Sequence, residues 1–501
     1  MKGIMIQGTS SDAGKSFLVT ALCRAFANKG LKVCPFKSQN MSNNSYVTLE
    51  GLEMGRAQAV QAEAARLQPD VYMNPILLKP RKDTLSEIIL SGKVYPTPDG
   101  DSNYYKKFTM NIGIKTVREA LQYIHDRYDV IVVEGAGSPA EINLNSTEIV
   151  NMRIAREADV PVILVADVDR GGSLASIVGT LTLLGEDRQR VKGIIFNKFR
   201  GDLSLFEDAV RWIEDYTKIK VVGVMPYLKD VLIESEDSLS IHSSSHGLKA
   251  NQINIGVIKI PYVSNNTDIE PFGFESDVEI FLVDSFTDFS KLDAVIIPGT
   301  KSTMSDMQYL HQSGIAKSLQ TFYKSGGSIF GICGGYQMLG TMILDELGID
   351  NPSLNNIPGL GLLPVTTYFE ETKTVHQVSG QIIYPGFGNF NVNGYEIHFG
   401  KTEPSGSDCK KTSPGHSLFT LNGHPDGFAI DGLRCAGTYL HNVFHNDTFR
   451  NLWLNQIRKQ KHYPEQSAIN TMNIKEESYE SLAKAAFQFL DMEYVMGLIK
   501  P

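Results

Sequence analysis

Paired cysteines are missing from this chain. Its five cysteines, Cys23, Cys34, Cys333, Cys409 and Cys435, show no metal-ligand spacing. An odd count in a chain this long argues against a disulfide framework and points to a reducing, cytoplasmic setting. Excess positive charge is missing as well: 47 Lys and Arg against 56 Asp and Glu leave a formal net charge of -9. That balance argues against a protein that coats nucleic acid, which needs a basic face to neutralise phosphates, but leaves room for a small anionic ligand held by local positive groups. No apolar run reaches the length that carries a helix across a bilayer. Met1-Lys2 leads straight into a strand-like run and a glycine loop, so no signal peptide is expected. Fixed short repeats and long low-complexity tracts are also absent.

What remains is ordinary globular material, 42% hydrophobic and 21% charged. At 501 residues the chain exceeds a single core, and two large domains are expected. Up to about Leu232, short apolar runs alternate with helical patterns, as in βαβ units around a parallel sheet. These runs are Ile4–Ile6, Val130–Val133, Val162–Val165 and Gly193–Phe196. From Glu234 to Gln252 the chain turns polar and serine-rich, which predicts a linker after a first domain ending at 233. A second α/β series follows over 253–450, with strand candidates Ile253–Ile258, Ile280–Val283, Ala294–Ile297 and Ser328–Ile332. The fold class expected is therefore α/β with two doubly wound domains. The extension 451–501 carries helical spacing at Leu482, Ala485, Ala486, Phe489 and Leu490, which predicts a closing helix.

The first strand is followed by GTSSDAGKS, Gly8 to Ser16, and then by a helix with Phe17, Leu18, Ala21, Leu22 and Ala25 on one side. In such a strand, glycine loop and helix, unpaired backbone N–H groups at the helix start converge on a phosphate. Gly8, Thr9, Gly14, Lys15 and Ser16 are the expected nucleotide-binding residues: Lys15 adds a point charge and Ser16 can hold Mg²⁺. Gly8 and Gly14 stand one residue further apart than in the usual loop, a variant that resembles dethiobiotin synthetase. Glu134 ends the run Val130–Val133 at the sheet edge where α/β proteins bind ligands, and its carboxylate suits a Mg²⁺ shell. Asp167 and Asp169 end the next run and suit either a metal, a substrate or a helix cap.

In the second half, Ser328-Ile329-Phe330-Gly331-Ile332-Cys333-Gly334-Gly335 sets a cysteine between glycines just after a strand. A tight strand-to-helix turn of this kind exposes the thiol and places N–H groups to stabilise an oxyanion, and the helix start favours thiolate. Class I glutamine amidotransferases carry this motif. The four other cysteines read as small buried hydrophobes. The base expected for Cys333 is His441, at the end of Gly437-Thr438-Tyr439-Leu440-His441, with His398 as its competitor. Many class I enzymes place a glutamate two positions beyond the histidine, but Val443 stands there. Glu396 or a backbone carbonyl is left as the orienting group.

Longer motifs resemble the cobyric acid synthases. They are Phe36-Lys37-Ser38-Gln39-Asn40-Met41-Ser42-Asn43-Asn44-Ser45, Glu53 to Gln58, Met73 to Pro80, Gly135 to Asn143, Asp167 to Gly172, Asn197 to Asp202 and Pro298 to Thr303. The resemblance covers the chain to about Arg450, with Asn442 standing where that family usually has glycine. It implies ATP- and glutamine-dependent amidation of the b, d, e and g carboxylates of adenosylcobyrinic acid a,c-diamide, with f left free. ATP and Mg²⁺ are the implied cofactors, and glutamine and a corrinoid the implied partners, with neither nucleic acid nor membrane. It also raises His441 above His398 as the base. Lys37, with Gln39 and Asn40, becomes a candidate for the substrate carboxylate or phosphate, against the alternative that Lys37 is a surface lysine. Two rivals share parts of this plan: the sibling that amidates the a and c carboxylates, and a partitioning-type ATP switch that would leave Cys333 unexplained.

Overall fold

The apolar runs of the first half line up as one parallel sheet in a computed structural model that describes residues 2–82, 85–96, 104–144, 147–229, 231, 252–405 and 415–499. Across it the strands run Lys220–Pro226, Val191–Phe199, Val162–Asp167, Gly3–Gly8, Val130–Glu134 and Val33–Phe36. Gly3–Gly8, Val130–Glu134 and Val162–Asp167 are buried along their whole length, as parallel strands covered on both faces by helices must be. The four strands expected from the sequence all form. The two others were hidden by their composition: Val33–Phe36 contains Pro35, which a strand tolerates at a sheet edge, and Lys220–Pro226 lies at the opposite edge.

Gly3–Gly8 lies between the strands that end in Glu134 and Asp167. The glycine loop that follows it, and the helix Lys15–Asn28, are thereby brought to the same sheet edge as both carboxylates. A second, smaller sheet of Gln39–Met41, Ile76–Lys82, Leu85–Leu90 and Lys93–Tyr95 stands beside this edge.

The second half builds another sheet, in the order Val278–Val283, Ile253–Ile258, Ala294–Ile297, Ser328–Ile332, Cys435–Thr438 and Phe428–Ile430. Its first five strands are parallel and the last is antiparallel. A long antiparallel ribbon, Val365–Ile382 with Asn391–Pro404, reaches from it toward the first half. The linker expected over 234–252 lies outside the described residues except for Gln252, and so does Cys409.

The last helices return to the first sheet. Leu482, Ala486, Leu490 and Val495 share a core with Ile4, Leu18, Leu22 and Phe26, and each of the larger side chains contributes roughly 1.5–3 kcal/mol by leaving water. Arg24, fully buried, pairs with Glu476 at 3.0 Å and Glu480 at 3.2 Å on the helix Thr471–Phe489. The fit is close: a Cβ on Gly223 would stand 2.1 Å from the carbonyl oxygen of Phe489. Among the described residues no helix is long and apolar enough to cross a membrane.

Candidate active sites

Two glycines shape the phosphate loop by leaving no room for a side chain. A Cβ on Gly8 would stand 2.8 Å from the Ser10 carbonyl and 3.1 Å from Lys15 Nζ. One on Gly14, at φ 92°, would collide with the Asn197 amide at 2.0 Å. Asn197 in turn donates to the Ala13 carbonyl at 2.9 Å, and the Thr9 amide donates to Val165 O at 2.9 Å, which ties the loop to neighbouring strands. Lys15 Nζ donates to the carbonyls of Ser10 and Gly137, each at 3.1 Å.

Ser16 Oγ donates to Glu134 Oε1 at 2.8 Å, Lys37 Nζ meets the same oxygen at 3.1 Å, and Gln61 Nε2 donates to Oε2 at 2.5 Å. Lys37 is 4% exposed, so it is no surface lysine. Asp167 accepts from the Asp169 amide at 2.8 Å and pairs with Lys198 at 3.0 Å, whereas Asp169 pairs with Arg200 at the surface. Neither aspartate caps the following helix, whose first turn starts from Gly172 without a side-chain cap. Gln39 Oε1 accepts from Tyr105 at 2.7 Å, and Asn40 Nδ2 donates to Gln58 at 3.2 Å.

A hydroxyl beside a carboxylate is a hard-oxygen donor pair that fits Mg²⁺, an ion usually held by one or two carboxylates together with phosphates and waters. No group of three or more His, Cys, Asp or Glu side chains that could cage a metal occurs among the described residues. The loop thus fits a metal that arrives with a nucleotide.

Cys333 begins the helix Gly334–Leu339 with φ 53° and ψ -111°. A non-glycine residue rarely adopts this conformation, and its glycine neighbours supply the space it needs. A Cβ on Gly335 would stand 2.0 Å from the carbonyl oxygen of Ile297, and one on Gly331 2.5 Å from that of Gly335. His441 is fully buried, and its Nδ1 lies 2.7 Å from Asp268 Oδ2. Burial alone would pull the imidazole pKa down, but the charges of Asp268 and Cys333 outweigh it and raise it from 6.5 to about 10. Asp268 Oδ1 accepts from the Asn442 amide at 2.6 Å, so one carboxylate holds both the ring and the backbone behind it. Asn442 has φ 63°, the left-handed region that glycine or asparagine tolerates. This accounts for asparagine standing where resembling sequences have glycine.

The orienting groups expected from the sequence are not the ones found. Glu396 pairs with His376 at 2.9 Å and stands 3.7 Å from His398 instead of reaching His441. His398 Nδ1 is held by the Gly400 carbonyl at 2.7 Å, and its ring stacks on Tyr439. Val443 is buried in the core. Asp268 escaped sequence reasoning because it lies 173 residues from His441. Its one signal is the polar run Ser264-Asn265-Asn266-Thr267-Asp268 after an apolar strand.

The motif Asn43-Asn44-Ser45 sits against this same run. Ser45 N donates to Asn265 Oδ1 at 2.9 Å, Asn266 N to Asn44 Oδ1 at 3.0 Å, and Tyr395 OH to the Ser45 carbonyl at 2.9 Å. Asn265 Nδ2 lies 3.3 Å from His441 Nε2. The segment that leads away from Lys37 therefore ends one residue from the histidine's ring.

Comparison with known proteins matches each half of the chain to a family. Residues 4–241 match the CobQ/CobB/MinD/ParA nucleotide binding domain, and residues 254–449 match the CobB/CobQ-like glutamine amidotransferase domain. The chain is 45% identical to the cobyric acid synthase of Anoxybacillus flavithermus over 98% of its own length and 96% of that protein. It is 42% identical to that of Geobacillus kaustophilus over 99% and 97%, and 44% identical to that of Listeria monocytogenes serotype 4a over 100% and 97%. With both domains matched and relatives of this similarity aligned from end to end, the chain belongs to the cobyric acid synthase family and is a nucleotide-binding, glutamine-dependent amide ligase of cobalamin biosynthesis.

Proposed function

We propose that this enzyme amidates the b, d, e and g carboxylates of adenosylcobyrinic acid a,c-diamide, leaving f free, with ammonia made at Cys333 and used at the glycine loop. The arrangement of Cys333, His441 and Asp268 across a domain boundary from the Ser16–Glu134 pair is the observation that carries the two-site reading, and the choice of carboxylates follows the motifs that resemble the cobyric acid synthases. Residues 1–233 are assigned to the synthetase and 253–450 to the glutaminase, joined by 234–252, and 451–501 is the C-terminal extension. The buried thiols of Cys23, Cys34 and Cys435 suit a cytoplasmic enzyme.

At the glutaminase, the Cys333 thiolate attacks the side-chain carboxamide carbon of glutamine. His441, oriented by Asp268, gives a proton to the nitrogen of the resulting tetrahedral adduct, whose C–N bond then breaks to release ammonia and leave a thioester on Cys333. Water then attacks that thioester, releasing glutamate and the thiol. The Gly334 amide, at the start of the helix that follows Cys333, is assigned to the oxyanion.

At the synthetase, Gly8, Thr9, Gly14, Lys15 and Ser16 hold the phosphates of ATP. Ser16 and Glu134, with Asp167, would hold Mg²⁺, which would screen the phosphate charge when bound. Lys37, with Gln39 and Asn40, positions the substrate carboxylate. The carboxylate oxygen takes the terminal phosphoryl group, ADP leaves, and ammonia displaces phosphate from the acyl phosphate to form the amide.

Cys333→Ser tests the division of labour. Amidation driven by glutamine should vanish and amidation driven by high ammonium should persist, with products followed by mass spectrometry. A folded variant inactive with both nitrogen sources would show that the thiol serves more than ammonia release.

A further inference from the structure

Beside Cys333 opens a cavity of about 500 Å³ whose walls come from both halves of the chain. Lys301, Lys373 and Gln337 line it from the glutaminase side, Lys79 and Glu87 from the synthetase side. Its charged wall is a buried lattice. Lys301 Nζ lies 2.9 Å from Glu87 Oε2, and Lys373 Nζ lies 3.4 Å from the same oxygen and 2.8 Å from Glu53 Oε2. Lys79 pairs with Glu53 and donates to Ser45 Oγ at 2.7 Å. Each of the five side chains is 10% exposed or less.

Buried ion pairs of this kind add little stability compared with apolar packing, because each charge must first be stripped of water. Burial pulls the Lys301 ammonium down to about 7, with Lys79 and Lys373 pushing the same way against Glu87 and Glu53. Lys301 follows Gly299 and Thr300, and the Thr300 amide nitrogen would lie 3.3 Å from a Cβ on Gly334, so this loop runs directly past the nucleophile's helix.

A ligand whose carboxamide sits at Cys333 must place its other end within the same cavity. In glutamine that end carries one carboxylate and one ammonium. We propose that Glu87, from the synthetase domain, receives the α-ammonium of glutamine while Lys301 and Lys373 receive its α-carboxylate, so that the glutaminase site is completed across the domain boundary. This rests on the reading of Cys333 as the nucleophile that acts on glutamine. Seating the zwitterion exchanges pairs within the lattice for pairs to the ligand, and it adds no net charge to the buried wall. The synthetase half thereby takes part in reading the nitrogen donor as well as in using the ammonia.

The test compares glutamine with 4-carbamoylbutanoate, which lacks the α-amino group, and with L-glutamine methyl ester, which lacks the carboxylate charge. Glutamate or its analogue released by the full-length enzyme is measured. The wild-type enzyme should prefer glutamine to each by roughly 100-fold or more in kcat/KM, since a site built around a polar group rejects the analogue without it. In Glu87→Gln the preference over 4-carbamoylbutanoate should collapse to about 10-fold or less, mainly through a raised KM for glutamine, while the preference over the ester persists. Lys373→Gln should show the reverse pattern, and it serves as the second probe if Glu87→Gln fails to fold. Unchanged discrimination in both variants, or equal loss toward all three substrates, overturns the assignment. If a chloroketone analogue of glutamine labels Cys333 in the wild type while the variants discriminate normally, only the head-group assignment falls. Absence of glutamine-protected labelling would instead remove the reading of Cys333 beneath it.

Discussion

The phosphate site and the glutaminase site are built on opposite plans. Gly8 to Ser16 form one unbroken stretch whose own backbone shapes the loop, with neighbouring strands adding Glu134 and Asp167. The glutaminase site gathers Asp268, Cys333 and His441 from three separate segments and braces them through a fourth, Asn43 to Ser45, from the other half of the chain. A contiguous site declares itself in sequence and depends on a few residues. An assembled site hides its supporting members and depends on how the segments pack.

The largest effect that would sharpen this contrast is expected at Lys15. Lys15→Ala should lower amidation by roughly 10²–10³-fold with glutamine or ammonium, because the lysine's charge serves the phosphates in both reactions. Glutamine hydrolysis should partly survive, as release of glutamate will show. Normal amidation by this variant would mean that the loop is not the working phosphate site.

Next comes Asp268→Asn, which keeps the shape of the assembled site and removes its charge. Glutamine-driven turnover should fall by about 10²–10⁴-fold through misorientation of the imidazole, and amidation from ammonium should fall much less. The same variant changes stability with pH. His441 has its folded pKa raised from 6.5 to about 10, so its contribution is complete below 6.5 and is lost as pH rises through about 10. Urea unfolding between those limits should show a smaller loss in Asp268→Asn than in wild type. An equal slope in both would remove Asp268 as the source of the raised pKa.

The smallest effect is expected at Asn442. A β-branched residue at φ 63° is strained, so Asn442→Val should lower stability by about 1–2 kcal/mol, while Asn442→Gly should stay within a few tenths. Equal unfolding midpoints for the two would show that the backbone relaxes around the substitution.

The contrast also explains what could be read in advance. Strands such as Val162–Asp167 and Ser328–Ile332 were legible because continuous apolar runs between turns have few other uses. Cys333 was legible because glycines on both sides of a cysteine after a strand describe a backbone conformation as well as a residue. Asp268 was not, since nothing in local pattern marks which acid will meet a histidine far along the chain. Glu396 and a backbone carbonyl were the alternatives left open, and neither follows from local pattern, because chain proximity says little about a site assembled by sheet topology. The Asn43-Asn44-Ser45 motif was visible, but its partner was not: its side chains and backbone reach into the other half of the molecule. Lys37 had an exposed alternative that its ion pair with Glu134 removes.

The return of the helix Thr471–Phe489 to the first sheet makes the synthetase a domain interrupted by its own partner. On a ribosome, the strand Gly3–Gly8 and the helix Lys15–Asn28 emerge first, yet the surface formed by Leu18, Leu22 and Phe26 waits for the last segment of the chain before it is covered. The glutaminase, whose strands emerge between, has all its own pieces sooner. A nick in the 234–252 connection would therefore leave two fragments still clasped together, whereas truncation before Thr471 would strip the synthetase of part of its own core. One cut cannot divide such a chain into two self-sufficient halves.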